Sequence, residues 1–110
     1  MDEPDAQERS AIFEIRVPPE LEAGAYSNFL SVWHSPAEFT LDFAVTQPTE
    51  LADASDPNSP VRVPCRVVAR VKIPPRLIFS ILQSLNENMT KYEAAFGEIA
   101  VQNTEGKQQR

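Results

Sequence analysis

The chain has 110 residues, enough for one ordinary domain, with Lys+Arg 10 against Asp+Glu 16 and a net charge of −6. A single cysteine, Cys65, excludes an intramolecular disulfide, and with His34 as the only histidine no His/Cys zinc cage can be built. The acidic balance argues against bulk nucleic-acid or anionic-membrane binding. Ten prolines against three glycines mean a backbone interrupted more often than loosened.

Residues 1–10 and 100–110 are polar and aperiodic and read as flexible tails around a single domain over 11–99. The acidic start, Met1 to Asp5, lacks the basic and apolar regions of a secretion signal. No apolar run approaches the roughly 20 residues of a membrane span. A cytoplasmic protein with no membrane association is expected.

Four strand-like runs follow in order. Ala11 to Val17 alternates, with Phe13, Ile15 and Val17 on one side and Glu14 and Arg16 on the other, until Pro18-Pro19 stops it. Tyr26 to Ser35 is β-prone through Phe29, Val32 and Trp33. Glu38 to Val45 places Phe39, Leu41, Phe43 and Val45 inward and Glu38, Thr40 and Asp42 outward. The short Ser35-Pro36-Ala37 link between these two runs predicts an antiparallel hairpin. Residues 47–60, with three prolines, read as a long mobile loop. Val61 to Ile73 alternates again, with Cys65 among its apolar odd positions; Pro64 within it predicts an edge strand or a bulge.

Pro74-Pro75 then opens a helix that runs to about Phe96 and stops at Gly97. Ile78, Leu82, Leu85, Met89, Tyr92 and Phe96 recur at spacings of four and three, an amphipathic seam that Leu77, Ile81 and Ala95 widen. The expected fold is α+β in β-β-β-β-α order: a four-stranded antiparallel sheet packed in two layers on one long C-terminal helix.

The clearest charge feature is local. Arg62, Arg66, Arg70, Lys72 and Arg76 make residues 57–86 a +5 segment inside a remainder of −11. Strict alternation puts Arg62, Arg66, Arg70 and Lys72 on one strand face. That stripe could track phosphates, the basis of a nucleic-acid-binding alternative. Cross-strand pairing with Glu38, Asp42 and Glu14 is the favoured account, because no aromatics interleave with the arginines.

Nothing points to catalysis, a metal or a cofactor. His34 has only Ser35 and Glu38 nearby in a turn, no glycine-rich phosphate loop exists, and Cys65 alternates with valines as a small hydrophobe. Apolar surface, by contrast, is in surplus. In the second run either Leu30 and Val32 or Phe29 and Trp33 must face away from the core, with Ile12 and Val68 on that outer side. Phe79 stands outside the helix seam. One helix cannot cover both faces of such a sheet, so Phe29, Leu30, Val32, Trp33, Val68 and Phe79 are candidate interface residues. The expected partner is a second copy of the chain, with apolar or unfolded polypeptide as the foreign class.

Two segments carry a family resemblance. The first is Tyr26-Ser27-Asn28-Phe29, Val32, His34-Ser35-Pro36, Glu38-Phe39 and Leu41-Asp42-Phe43; the second is Leu82, Leu85, Asn88-Met89, Lys91-Tyr92-Glu93 and Phe96-Gly97-Glu98-Ile99. Together they resemble the short prokaryotic proteins of the domain-of-unknown-function family numbered thirty-four sixty-seven. That resemblance covers Ile12 to Ile99 and implies a prokaryotic intracellular protein with no assigned activity. In architecture alone, strands followed by one long helix are also similar to the export chaperone SecB, which implies an oligomer with apolar grooves for unfolded chains. The reading that results is a non-enzymatic homo-oligomeric protein-binding or adaptor module.

Overall fold

The computed structural model describes residues 9–47, 57–58 and 60–101. Three strands, β1 (Phe29–His34), β2 (Phe39–Thr46) and β3 (Cys65–Ile73), form an antiparallel sheet in the order β1-β2-β3. One helix, α1 (Ile78–Phe96), follows β3. The α+β class and the C-terminal helix are as the sequence predicts; the strand count is three, not four.

The missing strand is Ala11 to Val17. It forms no ladder, and Phe13 and Ile15 stand 86% and 88% exposed. Alternation alone makes no strand, because its backbone groups need a neighbouring ladder. Pro18 follows, then a single 3-10 turn at Pro19–Leu21, and no described strand of the same chain pairs with the segment.

β1 and β2 meet as the predicted hairpin. The Ser35 N–H donates to the Glu38 carbonyl at 2.9 Å, and the Ser35 hydroxyl accepts from the Ala37 N–H at 3.2 Å. At the other end Ser27 and Asn28 clamp the pair. The Ser27 hydroxyl donates to the Ala44 carbonyl at 2.8 Å; the Asn28 side chain accepts from the Thr46 N–H at 3.0 Å and donates to its hydroxyl at 3.2 Å. The Ser-Asn motif thus fixes the register of the first hairpin.

β3 is shorter than its alternation suggests, beginning just after Pro64, whose carbonyl accepts from the Gln47 N–H at 2.9 Å. It is an edge strand, where the preceding proline costs no ladder bond. The irregularity lies four residues further on than Pro64. Phe43 faces Ala69 and Ala44 faces Val67, so Val68 is the extra residue of a β-bulge.

Pro74 sits in the extended region, and Pro75–Leu77 form one 3-10 turn closed by the Leu77 N–H on the Pro74 carbonyl at 3.0 Å. Gly97 ends α1 at φ 98°, a backbone region open to glycine, with its N–H donating to the Glu93 carbonyl at 2.9 Å. The Glu93 carboxylate accepts from the Ile99 N–H at 3.0 Å, so Glu93 and Gly97 together finish the helix.

The expected two-layer packing is not made within the chain. No residue of α1 is buried, and its close packing is with the 3-10 turn that feeds it rather than with a strand. Two stiff prolines at the junction set the direction in which the helix leaves, so it cannot fold back freely over β3.

The predicted mobile loop at 47–60 and the two predicted tails lie largely outside the described residues.

Candidate interaction surface

Residues opposite one another in an antiparallel ladder share a face. The register therefore assigns each side of the sheet. Leu30 and Val32 lie with Leu41, Phe43, Ala69, Val71 and Ile73, which form the Leu41 face. Phe29, Ser31 and Trp33 lie opposite Ala44, Asp42 and Thr40, with Arg70 and Lys72 on the far side; these form the Asp42 face. Of the two phases open to the second strand, the one with Leu30 and Val32 beside the inward-reading residues of β2 is realised.

Burial inverts the simple expectation. Thr40, Asp42 and Ala44, on the nominally polar side, are each 2% exposed. They are short residues on the central strand: Thr40 lies between Trp33 and Lys72, Ala44 between Phe29 and Val67, and Asp42 beneath Arg70. On the Leu41 face, Ile73 at the helix-proximal end is buried, but Leu30, Val32 and Val71 are exposed, and Leu41 and Phe43 are only half-buried. The polar face is sheltered by its own side chains; the apolar face has no second layer.

The buried charge on the Asp42 face is satisfied. Arg70 grips Asp42 in a bidentate pair, Nε to Oδ1 at 2.7 Å and Nη2 to Oδ2 at 2.9 Å. The Asp42 side chain is 3% exposed, whereas Arg70 is about half open. The hydrogen bond and then the charge of Asp42 hold the Arg70 guanidinium above its ordinary pKa. Lys72 Nζ lies 3.3 Å from Glu38 Oε1. Glu14 pairs with Arg16, its neighbour but one, at 3.3 Å rather than with a strand.

These placements break up the basic stripe. Arg70 and Lys72 share the Asp42 face, each engaged by an acid. The bulge at Val68 turns Arg66, opposite Val45, to the Leu41 face. Arg62 lies ahead of β3, in no regular element. The bulge also brings Cys65 and Val67 to the Asp42 face. Cys65 is exposed, so its expected role as an alternating core hydrophobe is corrected. A shallow depression of about 490 Å³ lies here, lined by Val45, Gln47, Arg66, Val67 and Val68.

The remaining residues fall as follows. His34 ends β1, its ring 5.5 Å from that of Phe39. Phe79 is 80% exposed on the first turn of α1, off the seam as predicted. The seam itself is open: Leu82, Leu85, Met89, Tyr92 and Phe96 are all exposed, with the Tyr92 and Phe96 rings 5.0 Å apart. Sequence reasoning assigned this seam to the chain's own core and so omitted it from the interface. The signal that could have placed it outside is Pro74-Pro75, a stiff junction between strand and helix.

Among the described residues no group of three or more His, Cys, Asp or Glu is placed to hold a metal ion, and no helix is long and apolar enough to cross a membrane. No curated protein and no solved structure matches the chain. One family model does, that of the protein of unknown function DUF3467, over residues 1–101. The match spans both the Ser27-Asn28 clamp and the Glu93-Gly97 helix stop, and this chain belongs to the DUF3467 family.

Proposed function

We propose that this chain is a non-enzymatic homo-oligomeric protein-binding module, in which self-association builds the finished core and apolar or unfolded polypeptide is the foreign ligand class. One observation carries the reading: a 19-residue amphipathic helix with no buried residue. Isolated helices draw most of their stability from packing an apolar face, and a seam of this size left in water costs several kcal/mol. A large exposed apolar patch marks an interaction site. For the foreign ligand, the support is the pair Phe29 and Trp33 on the Asp42 face of the sheet, where Trp33 is 43% exposed opposite Thr40.

Size-exclusion chromatography with light scattering at micromolar concentration tests the first part, with a mass of at least two chains expected. A strict 12.3 kDa monomer overturns it. Trp33 is the sole tryptophan, so its fluorescence reports on the second part directly. Titrating in a reduced, unfolded polypeptide should shift the emission and slow that polypeptide's aggregation; neither change at molar excess rejects the chaperone-like ligand class.

A further inference from the structure

The oligomer proposed above leaves open how two copies meet, and the dimensions of the exposed surfaces restrict the answer. At 1.5 Å per residue the 19 residues of α1 span about 28 Å, and the eight residues of β2 span about 26 Å. Three strands at the usual spacing measure about 10 Å across from first to last, near the diameter of one helix. One helix therefore covers one Leu41 face, and each chain supplies one of each.

We infer that two copies exchange their C-terminal helices, the seam Leu82, Leu85 and Met89 of each lying on the Leu41 face of the other around Val32 and Val71. This rests on the self-association proposed above and names its geometry. Three observations single out a second copy as the occupant. Helix and face occur in equal number on one chain, so a two-fold pair closes both surfaces with one repeated contact. α1 packs on the 3-10 turn that feeds it rather than on its own strands, and the Pro74-Pro75 junction leading into it is closed by its own hydrogen bond. The footprint also suffices, since two helix-on-sheet contacts cover about 1,100 Å² counted on all four surfaces, above the roughly 1,000 Å² that an interface between copies needs and at the small end of stable ones. Pairing through the helices alone would leave both Leu41 faces bare, and a foreign polypeptide would have to supply a helix and a sheet together.

The test uses the full chain. Copies carrying ¹³C-labelled Leu, Val and Met methyls are mixed, unfolded and refolded with unlabelled copies, and isotope-filtered contacts report only on neighbours in different chains. Intermolecular contacts from Leu85 and Met89 to Val32 and Val71 are expected. A dimer whose intermolecular contacts run from helix to helix alone overturns the exchange while self-association stands; a monomer overturns both. In parallel, Leu85→Ser and Val32→Ser should each weaken association about tenfold or more. Both side chains are exposed within the chain, so neither variant removes an intrachain core contact. Weakening by Leu85→Ser with no effect of Val32→Ser overturns the proposed footprint.

Discussion

Asp42 shows how a residue that looks peripheral becomes structural. Its alternation on β2 puts it on the side away from Leu41 and Phe43, but Ser31 and Arg70 oppose it from both neighbouring strands, and the carboxylate ends almost fully covered. A buried charge that loses its partner is worse than no charge. Arg70→Ala should therefore lower the denaturant midpoint, and adding Asp42→Ala to it should recover part of the loss; a further drop in the double variant would show that Asp42 is held by other groups. The pH dependence has a definite sign from the Arg70 side. Its pKa is raised by Asp42, so its stabilisation is complete below the ordinary arginine value and is lost only above the raised one, beyond the working range. The likelihood of this pair was legible in the acid-rich third run facing a basic fourth run. Its register was not, because only the ladder decides that Asp42 meets Arg70 while Glu38 meets Lys72.

Among the elements, the hairpin and the helix bounds were legible because local chemistry sets them: Ser35-Pro36 closes the turn, and Gly97 stops the helix. The Ala11–Val17 strand and the unbroken Arg stripe were misread for one reason. Alternation reports which residues could share a face if a ladder existed and had no bulge; an absent neighbour removes the first condition, and Val68 removes the second. The Pro74-Pro75 junction offers a prediction at this scale. Inserting six Gly/Ser residues between Ile73 and Pro74 would let α1 reach its own Leu41 face. Light scattering should then show dissociation at concentrations about tenfold higher or more than for the native chain, with helical content retained. An unchanged dissociation constant would mean that the junction does not hold the helix outward.

For the whole molecule, the helix seam and the Leu41 face of the sheet are not packed on one another within the chain. If the core is completed between copies, folding and association become one equilibrium. Raising the concentration a hundredfold should then stabilise the fold by about 2.7 kcal/mol and lift the thermal midpoint by several degrees. A midpoint independent of concentration would show a single chain stable by itself. The sequence alone determined the elements from the hairpin onward, the acid–base complementarity of the strands and the surplus of apolar surface, since these follow from periodicity and composition within a few residues of each other. Only the tertiary structure decided that the helix stands off its own sheet, that the apolar rather than the polar face is open, and that the basic stripe is divided. Those outcomes depend on a proline-stiffened junction, a single inserted residue and the size of cross-strand neighbours, which act through contacts between residues far apart in the chain.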